Sequence, residues 1–518
     1  MLDNKKKIKE IFVIILIAII SGIIFFYQTK KIGFHEDEVY SIVSSVNSNN
    51  GLMSSYGENL KPEWKTKEYI KDYATLNNHD YLHLKSIFYN QKEDNHPPFF
   101  YILVYFSSIF FSGEFSKYIV FIVNLVTFLL SCFIIKKILD ILNKENLTIA
   151  TLIFYGLSMG TISMVIYQRM YMLLTFFILL YFYFSIKIYK NGFNLTKGLN
   201  ILLGITTVLG FLTQYFFAIY AFLILILMVI QMIRSKNYKY IIGYVGFHIL
   251  YAIIGILLFT PCINHLLFTD RGLSNLSNSN YFIHLYNYIK HLAYAFTIND
   301  KPLLMFLILG VFLLCTIYLF RKSKEKFVVL LTIIPSIIYF LLVAKLTSFQ
   351  ELRYILPIIP FISLTLFFIL DDLLNIKYKN IVIVIIAIVL SFNGIIFSKP
   401  KFLFEEYQEC LDIANSNKEK SFVYVYDNFF NHMQSLPEMM IYEKTLIINT
   451  TKDELTYVIN DNDLNSESSY ILCIKTYMDN NSILDEIKNN TDFKNIIKLY
   501  EGGCSSEIIS NNLYLVSK

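Results

Sequence analysis

Charge and patterned cysteine are what this sequence has least of. Charged residues fill 16% of its 518 positions, against about 25% in an ordinary soluble domain. The six cysteines, at positions 132, 262, 315, 410, 473 and 504, include no C-x-x-C pair and no zinc-ligand spacing. That excludes the usual signature of a zinc site and of a dense disulfide scaffold. The 45 Lys and Arg residues fall in short clusters between apolar runs and form no single basic face, so nucleic acid is not an expected partner. Internal repeats and low-complexity tracts are also missing. What the chain has in abundance is apolar sequence: 55% hydrophobic and 17% aromatic, with many apolar runs of 16 to 22 residues. Runs of that length cross a bilayer, and a polytopic α-helical membrane protein follows.

The run Ile11–Phe26 is preceded by Lys5, Lys6, Lys7 and Lys9 and followed by no small-residue cleavage site. It reads as a retained first helix with an internal N-terminus. Apolar runs end near residues 26, 135, 166, 186, 213, 233, 262, 320, 343, 370 and 397, giving about eleven spans when the run from Phe99 to Phe111 is left out. Leaving it out places the clusters Lys136/Lys137/Lys144, Lys187/Lys190/Lys197, Arg234/Lys236/Lys239, Arg321/Lys322/Lys324/Lys326 and Lys377/Lys379 inside. Counting it would put all of them outside, against the positive-inside tendency. The stretch "HPPFFYILVYFSSIFFSG" is therefore expected to lie along the outer surface or to re-enter. The same parity puts the loops 27–115, 167–170, 263–302 and 344–353, and everything after 397, on the outer face. From 398 onward the chain is polar and alternates β-like runs, "SFVYVYDN", "TLIINT", "YILCIKT" and "NNLYLVS", with helix-like segments such as "NSILDEIKNN". Two domains are expected: a membrane domain over 1–397, with a long external loop at 27–115, and a small extracytoplasmic α/β domain over 398–518.

Four polar groups share the expected outer face. "HEDEVYS" sets Asp37 and Glu38 just past the first span, where a carboxylate in a partly dry cleft is tuned to accept a proton from a hydroxyl. The same doublet is also how a solvated acidic loop begins. "DNHPPFFY" places Asp94 and His96 ahead of two prolines that force an extended backbone. There Asp94 is equally a helix cap and His96 a packed or capping histidine. "YQRMYMLL" holds Gln168, Arg169 and Tyr171 in a tight turn, and "FQELRYILPIIP" sets Arg353 and Tyr354 at the outer start of a late span. An arginine in either place is an interfacial anchor or a bidentate contact to phosphate or carboxylate.

The acidic doublet after the first span, D-x-H-P-P in the first external loop, R-M-Y at a later turn and R-Y-x-L-P-x-x-P near the end of the bundle resemble together the GT-C membrane glycosyltransferases. The resemblance is strongest to the family 39 group, which includes protein O-mannosyltransferases and the aminoarabinose transferases that modify lipid A. It runs from about residue 10 to 370. It implies a polyprenyl-phosphate-linked sugar donor, a membrane-lipid setting, and inverting transfer to an acceptor hydroxyl of a glycolipid, cell-envelope glycan or protein. By the same resemblance Asp37 is the catalytic base with Glu38 beside it. Asp94, His96, Tyr171 and Tyr354 line the substrate site, and Arg169 and Arg353 contact the phosphate. Two acids and a histidine also make a divalent cation a candidate cofactor. The external α/β domain departs from the protein mannosyltransferase pattern. A lipid-linked sugar flippase or transporter, and a surface polysaccharide polymerase or ligase, are the rival readings. A transporter would place its ionisable residues near the midplane, whereas here they stand at span ends.

Overall fold

The computed structural model describes residues 2–48, 62–77, 83–268, 280–296, 302–323, 325–347, 349–426, 434–449, 461–503 and 511–518. Parts of the loops 27–115 and 263–302, together with Cys504, lie outside the described residues. The chain divides into two compact units, one of residues 1–27, 95–100 and 122–401, the other of residues 28–94, 101–121 and 402–518.

The first unit is helical. Among the described residues, eight helices, beginning with Lys7–Lys30, are long and apolar enough to cross a membrane, and nine if a bent pair counts as one span. The chain is a multi-pass membrane protein, with fewer qualifying helices than the eleven spans expected. The expected span ending near 213 is the helix Lys197–Thr213, whose 17 residues rise only about 25 Å at 1.5 Å per residue, short of a hydrocarbon core of about 30 Å. The helix Pro302–Lys322 occupies another expected span without qualifying on its described residues. The apolar run after the two prolines is a ten-residue helix, Phe99–Ser108, closed by the 3₁₀ turn Ile109–Phe111.

The bent pair is Glu145–Leu157 with Met159–Ile166, turned by 59°. Ser158 makes the break: its backbone is extended, its hydroxyl donates to the Tyr155 carbonyl at 2.9 Å, and it accepts the Thr161 N–H at 3.2 Å to start the next helix. Gly160 follows because a Cβ there would lie 2.8 Å from the Ala295 Cβ and 2.4 Å from Ile359 Cδ1. Lysine–carboxylate pairs gather the ends of several helices. Asp371 accepts from Lys379 at 2.7 Å and from Lys144, Lys190 reaches Glu325 at 2.6 Å, Lys322 lies 3.7 Å from Asp372, and Lys136 lies 3.9 Å from Glu10.

The second unit is built on a six-stranded sheet: β1 (Glu63–Thr66), β2 (Ser421–Tyr426), β3 (Lys444–Asn449), β4 (Ser469–Lys475), β5 (Asn495–Glu501) and β6 (Asn511–Ser517), in the order β1-β3-β2-β4-β6-β5. The central three run parallel, with Val423 opposite Leu446 and Leu472, and the outer pairs are antiparallel. Every residue of β2 is buried, as parallel strands covered on both faces require. β1 comes from the first loop, where Trp64 packs against the sheet core and donates its indole N–H to Asp461 at 3.2 Å. The helix Glu36–Val46 is almost wholly buried, and Asn90 closes its far end by donating to the carbonyls of Ser44 and Asn47 at 3.1 and 3.0 Å.

Candidate functional site

The sequence-predicted residues fall into two groups, one in each unit. In the second unit the group is built on the start of the helix Glu36–Val46. His35 is the N-cap: its Nδ1 accepts the Asp37 N–H at 3.1 Å, while Glu38 reaches back to accept the His35 N–H at 2.7 Å. This reciprocal cap satisfies two of the donors that a helix start leaves orphaned, and three acids in the first turn complement the helix dipole. The two acidic neighbours then have different surroundings. The Asp37 side chain is 27% exposed, with Oδ2 3.6 Å from His35 Nδ1, whereas Glu38 is fully enclosed. Glu38 also accepts from Lys31 Nζ at 2.9 Å, and Lys31 is itself without exposed surface. Burial pushes the Lys31 ammonium below the ordinary lysine range, and the carboxylate of Glu38 pulls it back. Asp94 is buried and ends the helix Leu84–Glu93, its N–H donating to the Asn90 carbonyl. It therefore closes the helix before the prolines.

In the first unit the group is built on two turns. The helix Met159–Ile166 stops at Tyr167, and Asn124, buried within the span Ile119–Ile141, donates to the carbonyls of Val165 and Tyr167 at 3.3 and 2.8 Å. That amide fixes the turn that presents Gln168 and Arg169 before the helix Tyr171–Lys190 begins. Arg169 is 2% exposed, with Nη2 3.1 Å from His96 Nε2, to which it donates when that nitrogen carries no proton. The second turn is the 3₁₀ segment Leu352–Tyr354, followed by Leu356–Ile358 and the helix Ile359–Leu373. Arg353 is 7% exposed and donates from Nη1 to the Tyr167 hydroxyl. Its guanidinium stands over the rings of Tyr167 and Tyr354, at 5.6 and 5.2 Å from their centroids. Tyr171 stacks on Tyr167 and meets Tyr354 edge-on, with centroids 6.3 and 5.7 Å away.

His96, Arg169, Tyr171, Arg353 and Tyr354 are thus one aromatic-walled cluster joined through Tyr167. Two guanidinium groups, drawn from turns far apart in sequence, are buried in the first unit, one bonded to an imidazole and the other beside tyrosine rings. Tyr167, Asn124, His35 and Lys31 were not singled out from sequence. Asn124 had a readable signal, a carboxamide inside an apolar span. Tyr167 and His35 stand within or beside the motifs, and their contacts have no sequence pattern. Among the described residues, no three His, Cys, Asp or Glu side chains are grouped as a metal ion requires, so no step is drawn through a metal.

No family model and no curated protein matches the sequence. Solved structures do match. The crystal structure of ArnT from Cupriavidus metallidurans bound to undecaprenyl phosphate superposes with a TM-score of 0.59 at 12% identity, covering 97% of this chain and 98% of that one. The apo form of the same protein gives a TM-score of 0.55 at 11% identity, covering 97% of each chain. Over nearly its whole length, this chain has the ArnT-like fold of the GT-C membrane glycosyltransferases.

Proposed function

We propose that the protein is a glycosyltransferase that takes a sugar from a polyprenyl-phosphate donor and passes it, with inversion, to an acceptor hydroxyl at the outer face of the membrane. The observation that carries this reading is the pair of buried guanidinium groups, Arg169 and Arg353, gathered around Tyr167. When the bond between the anomeric carbon and the phosphate oxygen breaks, negative charge grows on the phosphate. Preorganised guanidinium donors in a water-poor setting stabilise that charge most. Arg169 and Arg353 are the proposed phosphate contacts. His96 orients Arg169, and Tyr171 and Tyr354 wall the site.

Transfer also needs a base for the acceptor hydroxyl. Asp37 takes that role: its carboxylate is partly exposed, whereas Glu38 is enclosed by Lys31 and the cap. The acceptor oxygen attacks the anomeric carbon, its proton passes to Asp37, and polyprenyl phosphate departs. Asp94 is the proposed aid in holding substrate. The undecaprenyl phosphate held by the ArnT neighbour supports the donor class. The lysine clusters between spans support the outer-face assignment. The acceptor belongs to the glycolipids, cell-envelope glycans or proteins. Cells lacking the protein are expected to accumulate a polyprenyl-phosphate-linked sugar, read by mass spectrometry of extracted lipids. Purified protein in lipid vesicles is expected to consume that donor. An unchanged lipid profile with no donor consumption would overturn the reading.

A further inference from the structure

We infer that Lys31 is a positioning residue for Asp37, and that residues 402–404, where the chain enters its C-terminal α/β segment, form the other half of the same lock. The inference rests on the reading of Asp37 as the base.

Lys31 lies one residue past the first helix, which ends at Lys30. A lysine at such a place ordinarily extends its ammonium into water or to the lipid headgroups. Here the whole side chain is enclosed. Its Nζ donates to Glu38 Oε2 at 2.9 Å and to the Phe402 carbonyl at 2.5 Å. It stands over the rings of Phe34 and Phe404, 5.5 and 5.1 Å from their centroids. The Ile32 N–H donates to the Leu403 carbonyl at 2.8 Å, so backbone and side chain together engage three successive residues. From the other side Lys117 Nζ donates to the carbonyls of Thr29 and Lys31, at 2.9 and 2.6 Å. The 402–404 segment takes an unusual course to meet this lysine. Phe402 and Phe404 both have positive φ, 70° and 50°, a conformation that costs a bulky residue on the order of 1 kcal/mol or more and persists where surrounding contacts impose it.

The consequence falls on Asp37. Glu38 cannot leave Lys31 without uncovering a buried charge, and Glu38 is also the carboxylate that closes the reciprocal cap with His35. Asp37 lies between those two residues, its N–H bonded to His35 Nδ1. A fully desolvated ion pair is poor evidence of stability by itself. Fixing the direction of the first helical turn is the use that matches this geometry.

The test is steady-state kinetics in lipid vesicles with the accumulated polyprenyl-phosphate sugar as donor. Lys31→Met is expected to lower kcat by roughly a hundredfold, the order that small misplacement of a catalytic group costs, with the donor KM unchanged. The double variant Lys31→Met/Glu38→Gln, which removes both buried charges at near-constant shape but also lacks the lock, relieves any unpaired charge and is expected to stay slow. Phe404→Leu keeps the packing apolar and tests the lock without burying an unpaired charge, so it decides the matter should Lys31→Met fail to fold. It is expected to lower kcat several-fold at constant KM. Wild-type kcat in Phe404→Leu, or a Lys31→Met loss that the double variant relieves in full, would overturn the inference. Asp37→Asn in the same assay separates the two levels. If it retains transfer, the base assignment falls and this inference with it. If it abolishes transfer while the Lys31 and Phe404 variants turn over normally, only the lock falls.

Discussion

Neighbouring residues of one type are not equivalent here, and the difference is set by what encloses them. Asp37 and Glu38 are adjacent acids on one helical turn, yet one keeps 27% of its side chain exposed and the other is sealed against Lys31. Asp37→Asn keeps the shape and removes the proton acceptor. Turnover is therefore expected to fall by about a hundred- to ten-thousand-fold, the range assigned to general acid–base catalysis, while donor binding persists. Transfer by purified protein alongside a donor-binding measurement checks this, and near-normal transfer would move the search for the base to Asp94. The arginines differ in their holders: Arg169 bonds an imidazole, whereas Arg353 stands over the rings of Tyr167 and Tyr354. Arg169→Ala and Arg353→Ala are each expected to raise the donor KM more than the acceptor KM. Lysine at either position is expected to restore part of the loss, since it supplies a point charge without the planar fork. At 353 the rescue should be smaller, because an ammonium stacks less well over two rings. Unchanged donor saturation in both alanine variants would return the arginines to an anchoring role.

Among the elements, periodicity exposed some and hid others. The runs "SFVYVY" and "YILCIK" read as strands from sequence and are β2 and β4, and "NSILDEIKNN" lies within the helix Asn480–Asn490. β1 was not legible: "EWKT" is four residues of no marked alternation, and its pairing with β3 spans nearly 400 positions of sequence. The break at Ser158 was hidden for a different reason. The run around it is uniformly apolar, and an N-cap hydroxyl inside an apolar stretch has no periodic signature. The motif residues were legible because charge in an apolar chain is conspicuous. Their holders, Tyr167 and Lys31, were not, because a buried contact depends on neighbours that the sequence does not order. The sheet carries a prediction of its own. Glu438, on the short helix Leu436–Met439 between β2 and β3, is fully buried, and burial raises its carboxyl to about 8 against the opposing pull of Lys475 and a bond from Tyr407. Its folded pKa exceeds its ordinary value of 4.5, so the folded state binds the extra proton between those values. From this group alone, the contribution to stability is fully present below about pH 4 and is lost as pH rises toward 8. Glu438→Gln should flatten that slope. Trp64 is the chain's one tryptophan and packs on the sheet core, so its fluorescence during thermal unfolding reads this unit. A slope unaltered by the substitution would remove Glu438 as its source.

For the whole molecule, the proposed sidedness rests on one short helix. The apolar stretch of ten helical residues and a 3₁₀ turn after Pro98 rises about 20 Å at most, well under the hydrocarbon thickness of about 30 Å. If it does not cross, the lysine clusters between later spans all face inward. The ion pairs give that parity an internal check. Lys144 and Lys379 meet on one carboxylate, Asp371, and Lys322 lies 3.7 Å from the next residue, Asp372. Lys190 pairs with Glu325, and Lys136 lies near Glu10 of the first helix. Clusters that charge parity assigns to one face therefore meet at common helix ends, as they must if the parity is right. On the proposed sidedness Glu145, exposed in the turn after Ile119–Ile141, is expected to face the cytoplasm, and Lys418, exposed beyond the last span, to face outward. Single cysteines at these two positions, in a background stripped of the native six, test both together. A membrane-impermeant maleimide applied to intact cells is expected to label Lys418→Cys and to reach Glu145→Cys only after permeabilisation. Labelling of both from outside would mean that an odd number of crossings has been miscounted between them. Labelling of Glu145→Cys alone would invert the molecule and carry Asp37 to the cytoplasmic side, where the acceptor would have to be sought instead.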